Sequence, residues 1–141
     1  MSEQNKVMAT LEEYSAAYCA KDTDRLMRIF ADDDSISLIG TGADELCAGP
    51  AAIREVFDRN FAEATANQFE WHWKQITIVG DSAVVAITLS IHLIFDGQAI
   101  TVPIRWTVSL SRIDGVWKWL HRHASAAATS QDEGTAYPTD K

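Results

Sequence analysis

The chain reads as an α+β domain in which helices come first and a curved antiparallel sheet follows. Three observations predict this. Apolar residues recur at helical spacing through the first sixty positions, and from Phe69 onward the pattern changes to long β-type segments. Those segments are separated by Gly80-Asp81, Asp96-Gly97 and Asp114-Gly115, each a two-residue hairpin signal. Helices followed by strands must pack as layers, with the helices covering one sheet face to bury their own apolar stripes.

Val7, Leu11, Tyr14 and Tyr18 share one stripe of a first helix from about Glu3 to Ala20. The segment Lys21 to Asp24 breaks the chain, and Asp22 or Thr23 can cap a short second helix whose Leu26, Ile29 and Phe30 face inward before "ADDD" ends it. Gly49-Pro50 starts a third helix with proline at its first position, followed by Ile53, Val56, Phe57 and Phe61 at core spacing. Between helices two and three, "SISLIG" and "ELCAG" read as short strands, and the three hairpin signals then predict a four-stranded meander.

A length of 141 residues with 47% hydrophobic and 23% charged content suits one domain, read here as residues 1–126. Residues 127–141 are small, polar and aperiodic and are expected to be disordered. A formal charge of -8 with no Lys/Arg cluster argues against nucleic acid and anionic membrane as partners. No apolar run approaches the roughly 20 residues that cross a bilayer. "MSEQNKVMAT" lacks the basic start and apolar centre of a signal peptide, so a cytoplasmic location is expected. Cys19 and Cys47 form no CxxC pair and read as small apolar fillers.

The stretch "GVWKWLHRHAS" places Trp117, Trp119, His121, His123 and Ser125 at alternate positions, one face of a regular strand. His121 and His123 could ligate a metal with Glu70 or His72 as a third donor, but hydrogen bonding within the closing strand or at a subunit contact is the expected role. Ser125 beside His123 lies about 7 Å away on a regular strand and has no orienting acid, so nucleophilic catalysis is not expected. The five tryptophans are expected in the core, in a pocket wall or at a subunit interface. Asp32 to Asp34 read as a solvated helix end.

The segments "EEYSAAYCAKDTDRLMRIFADDDSI", "AGPAAIREVF" and "VPIRW" resemble the ketosteroid isomerases. "DGVWKWLHRHAS" is similar to the ending of SnoaL-like and calcium/calmodulin-dependent protein kinase II association domains. All belong to the nuclear transport factor 2-like superfamily, and the resemblance covers about residues 7 to 126. It implies a cone-shaped, cystatin-like fold of three helices on a strongly bent, mostly antiparallel six-stranded sheet, and a homodimer through the sheet face. Residue by residue, it puts Tyr14 where the isomerases have their oxyanion-donating tyrosine, Leu38 at the general-base aspartate and Arg105 at the second oxyanion acid. A hydrocarbon cannot accept a proton and a guanidinium cannot act as a neutral acid, so the isomerase mechanism is not supported.

The face that lines the pocket is open between two readings. Unbroken two-residue hairpins align Trp106 with Ile87 and His123, which puts His121, His123 and Ser125 on the apolar face with Val85, Leu89, Ile104 and Val108. The resemblance favours Arg105 inside, and one β-bulge, for which Pro103 is a marker, would reconcile the two. The expected function is binding of a compact organic molecule bearing a carboxylate or enolate, with isomerase, cyclase or lyase chemistry as its extension. The alternative is a non-catalytic association module. Tyr14 is the candidate donor, Arg105 the anion partner and His123 the proton carrier, with Tyr18, Trp71, Trp106 and His121 as further ligand contacts. No metal and no cofactor are implied.

Overall fold

Ser2 opens the first helix, its hydroxyl accepting the Asn5 N–H at 3.1 Å and so satisfying a donor that the helix start leaves free. In the computed structural model, which describes residues 1–139, helix α1 (Glu3–Cys19) buries Val7, Leu11, Tyr14 and Ala17 along one stripe. Asp22 caps α2 (Thr23–Met27) through the Arg25 N–H, and Pro50 begins α3 (Pro50–Glu63), which buries Ile53, Val56 and Phe57. Strands β1 (Ser37–Ile39) and β2 (Leu46–Ala48) form a short hairpin before α3. The meander follows as β3 (Ala64–Val79), β4 (Ser82–Phe95), β5 (Gln98–Ile113) and β6 (Val116–Ser125). β3 begins at Ala64, ahead of the expected Phe69, because α3 passes into it directly and Ala64 is already extended.

The six strands form one sheet in the order β2-β1-β6-β5-β4-β3, antiparallel except where β1 lies beside β6. Asp96-Gly97 and Asp114-Gly115 have positive φ at both residues, the conformation that matches a two-residue turn to the twist of its strands. After Ser125 the described residues contain no helix or strand, and Gln131 and Thr139 donate backbone hydrogen bonds to Ala128 and Ser130. The expectation of disorder for residues 140 and 141 lies outside the described residues. No helix is long and apolar enough to cross a membrane.

The helices cover the concave face, where Tyr14 stands at the centre of an aromatic cluster. Its ring lies 4.9 Å from Trp119, 5.0 Å from Trp106, 5.7 Å from Tyr18 and about 6 Å from Phe57 and Phe69 (centroid distances of 5.9 and 6.0 Å). Three indoles of this layer tie the sheet to α1: Trp117 Nε1 donates to Glu3 Oε1, Trp119 Nε1 to Thr10 Oγ1 and Trp71 Nε1 to Glu12 Oε1. Burying an aromatic ring and pairing its N–H are both needed, because an indole removed from water without an acceptor forfeits a hydrogen bond.

The decisive irregularity is in β6. Ser109 pairs with His121 and Leu110 with Trp119, so Leu120 is one extra residue opposite β5. Before it Trp117 and Trp119 point into the core; after it Arg122 and Ala124 do, and His121, His123 and Ser125 turn to the convex side. This corrects the unbroken pairing, since Trp106 faces Ala124 and not His123. Pro103 marks no bulge: the β4–β5 register runs without a shift from Ser82–Ser111 to Phe95–Gln98.

Glu3 anchors the start of α1 by accepting from Arg112 Nη1 and Trp117 Nε1 and by pairing with Lys6 at 3.0 Å. Lys6 first, then Arg112, lower its carboxyl pKa from 4.5 to about 2. A depressed carboxyl stabilises the fold above its unfolded pKa and loses that contribution as pH falls through the folded one. Glu3→Gln is therefore expected to flatten the decline of melting temperature between pH 5 and 2, measured by circular dichroism against the wild type. An unchanged profile would assign the acid sensitivity to other carboxylates.

Candidate functional site

A cavity of about 540 Å³ opens between α1, α3, the β1–β2 loop and the distal half of the sheet. Its apolar wall comes from alternate residues of β4 and β5, Ile91, Leu93 and Phe95 facing Ile100, Val102 and Ile104, with Phe69 from β3. Tyr14, Tyr18 and Trp106 close its inner end, and Arg122 and Ala124 reach it from β6. Thr41, Asp44, Glu45, Arg59, Asn60 and Glu63 form the polar rim.

Arg122 is the centre of the site. It is only 8% exposed, and among the described residues no carboxylate lies within salt-bridge distance of it. Its Nη1 donates to Tyr14 Oη at 3.0 Å, its Nη2 to Ile39 O at 3.4 Å, and its Cζ lies 5.2 Å over the Trp106 ring. These contacts hold the guanidinium over the indole but leave its Nε without a partner. Trp106 Nε1 is likewise buried without an acceptor. Tyr14 accepts from Arg122, and among the described residues no side chain or carbonyl takes its own hydrogen. Burial raises the Tyr14 phenol well above its ordinary pKa, an effect that Arg122 only partly offsets, so the phenol stays protonated and available to donate.

Three buried donors thus line one end of an apolar cavity without acceptors of their own. Native interiors rarely leave such groups unpaired, because each costs about 1–3 kcal/mol. A cation, a phenol and an indole N–H together can receive a carboxylate, an enolate or a polarised carbonyl oxygen.

The rim is held by ionic contacts. Arg59 from α3 pairs with Asp44 at 2.8 Å and Glu45 at 3.3 Å, while Glu45 Oε1 accepts the Gly42 N–H at 2.7 Å. The Arg59 hydrogen bond lowers the Asp44 carboxyl pKa. The glycines make this packing possible, for a Cβ at Gly40 or Gly42 would sit 2.7 or 2.8 Å from Glu45 Oε1.

The expected site residues divide between the two sheet faces. Tyr14, Tyr18 and Trp106 line the cavity. Trp71 does not: it packs behind Phe69 and Trp106 with its N–H on Glu12. Arg105 is on the convex face, where its Nε donates to Ser125 Oγ at 3.2 Å, and it cannot be the pocket cation. His121 and His123 share that face because of the bulge, so neither is placed to carry a proton within the cavity. His121 Nδ1 lies 2.7 Å from Ser37 Oγ, and burial lowers its pKa. The candidate third metal donors are otherwise engaged, His72 with Ser90 and Glu70 with His92, and among the described residues no group of three or more His, Cys, Asp or Glu side chains could hold a metal ion. Leu38 is buried in the core.

Arg122 was hidden in plain sight between the two histidines. Strict alternation put it on the face opposite Trp119, and only the extra residue at Leu120 reverses that. Nothing in the local sequence marks the bulge. If Arg122 serves a ligand at the expense of the free fold, Arg122→Met should unfold in urea with unchanged or greater stability, a gain of about 1–2 kcal/mol. A loss above about 2 kcal/mol would make it a structural residue.

The family profile described as SnoaL-like domain matches residues 7–129. No match was found among curated proteins. A Xanthomonas campestris protein assigned as a calcium/calmodulin-dependent protein kinase II association domain is similar in structure, with a TM-score of 0.80 and 21% identity over 92% of this chain and 91% of that one. A Novosphingobium aromaticivorans protein assigned as an aromatic ring hydroxylase gives 0.79 and 21% over 89% and 90%. A ketosteroid isomerase-like protein from Erwinia carotovora atroseptica gives 0.75 and 16% over 91% and 99%. At these identities the likenesses concern the fold.

Proposed function

Because the chain belongs to the SnoaL-like domain family, whose fold is of the nuclear transport factor 2-like type, we propose that its cavity binds a compact organic molecule through a carboxylate or enolate oxygen. The observation that carries this is the buried Arg122, without an acid partner and with its Nε unpaired, beside the equally unpaired Trp106 Nε1. An anionic oxygen is the group that would pair with both, and the largely aliphatic wall of Ile91, Leu93, Ile100, Val102 and Ile104 suits an apolar body attached to it. The cavity is within the size range of ligand pockets.

The same donors would stabilise charge developing on a carbonyl oxygen, so the chemistry that extends binding is enolisation of a ketone or acid, as in an isomerase, cyclase or lyase. The proton acceptor in that extension is Glu45, whose side chain is 16% exposed at the rim, in place of the histidine expected from sequence. A carboxylate of this kind removes the α-proton while Tyr14 and Arg122 hold the oxygen.

The test is a thermal-shift and calorimetric screen of small carboxylates and enolisable ketones. A ligand at about 100 times its Kd stabilises a single site by about 2.7 kcal/mol, a shift of several degrees for a domain of this size. Wild type and Arg105→Ala are expected to respond equally to a carboxylate, and Arg122→Met not at all. Equal responses in all three would remove Arg122 from the site. Because burial keeps the Tyr14 phenol protonated, affinity is expected to stay flat from pH 7 to 10, where an ordinary phenol begins to ionise. A decline centred below pH 10 would contradict its role as donor.

A further inference from the structure

Around the Asp96-Gly97 turn the chain sets Ile91, Leu93 and Phe95 at alternate positions of β4 and Ile100, Val102 and Ile104 at alternate positions of β5, so all six line the cavity. Ile91 lies opposite Val102 and Leu93 opposite Ile100, which joins the two rows into one strip. The residues between them, His92, Thr101 and Arg105 among these, point to the convex face, and no polar side chain interrupts the strip.

The strip has a direction. Going outward along β5, exposure rises from 2% at Trp106 and 8% at Ile104, through half-buried Val102, to 36% at Ile100, and Phe95 at the tip of β4 is 40% exposed. Its inner end is therefore continuous with the aromatic core and its outer end is open to water. Covering such a surface with CH2 groups is favourable, because it removes apolar area from water on both partners.

Charge is distributed along the same line. Arg122 stands at the inner end, its Nε unpaired beside Trp106 Nε1. At the mouth are Asp44, Glu45 and Glu63, the last adjoining Ala64, which pairs with Phe95. Arg59 is the one cation among these rim residues, and it is held by Asp44 and Glu45. This arrangement draws one carboxylate inward and repels a second at the outer end.

Resting on the carboxylate reading above, we propose that the ligand of this cavity is a straight-chain monocarboxylic acid of about ten carbons, bound with its carboxylate at Arg122 and its chain laid along the strip toward Ile100 and Phe95. The four residues from Ile104 to Ile100 extend about 13 Å. An extended chain advances about 1.2 Å per bond, which sets the length of the acid.

Isothermal titration calorimetry of the full chain at pH 8 with butanoate, hexanoate, octanoate, decanoate and dodecanoate tests this. The Kd is expected to fall about threefold for each added CH2 as far as decanoate, less than the roughly fourfold of full burial because the strip is open on one side. From decanoate to dodecanoate it is expected to change less than twofold. Decanedioate, which brings a second carboxylate to Glu63 and Asp44, is expected to bind at least tenfold more weakly than decanoate, and Glu63→Gln to narrow that gap. In Ile100→Asp, a charge placed at a partly exposed position, the gain from octanoate to decanoate is expected to vanish. A Kd that levels off at hexanoate, a diacid that binds as tightly as the monoacid, or a chain-length profile unchanged in Ile100→Asp would each overturn the straight-chain assignment, while loss of binding in Arg122→Met would still uphold the carboxylate reading. If no acid of the series binds, or if all bind Arg122→Met as they bind the wild type, that reading falls and the assignment with it.

Discussion

The register shift at Leu120 governs this molecule, because side chains alternate along a strand and one added residue reverses every position after it. Without it, Arg122 would project from the convex face and both histidines would enter the aromatic core. With it, the guanidinium lies over Trp106 and bonds Tyr14, and the histidines join the outer surface with Ser125 and Arg105. One backbone irregularity therefore sets the charge of the cavity and the chemistry of the opposite face together.

The inner layer shows the contrast between groups arranged for folding and groups arranged for something else. Trp117 and Trp119 bury their rings, Trp71 is half-buried, and each finds an acceptor on α1. Trp106 buries its ring equally well but finds none, and Arg122 beside it keeps one N–H unpaired. The surrounding cluster is rigid enough to hold these groups in place, since Tyr14 contacts five rings and cannot turn away. Local cost borne by a well-packed surround is the usual signature of a binding site.

Charge is segregated on a larger scale. The acids lie on helices, loops and the C-terminal segment, with Glu70 the exception, while the sheet's outer face relies on hydroxyls and imidazoles. At the cavity rim, Arg59 ties Asp44 and Glu45 to α3, while Arg122 has no carboxylate within salt-bridge distance among the described residues. Proteins of similar fold carry varied descriptions, so the architecture by itself does not select a ligand.

The sequence alone determined the elements and their order. Helical stripes such as Val7, Leu11 and Tyr14, Pro at the start of α3, and the Asp-Gly turns are local signals, each depending on a few neighbouring residues. That Tyr14, Tyr18 and Trp106 face the cavity was legible on that basis, because their positions do not depend on β6. Arg105, His121, His123 and Trp71 were misplaced, and Arg122 was missed, because facing is decided by pairing between strands distant in the chain. Leu120 carries no local mark of a bulge; it becomes the extra residue when packing Trp119 against α1 and Ala124 opposite Trp106 cannot both be met by strict alternation. That compromise belongs to the whole core, and only the tertiary structure decides it.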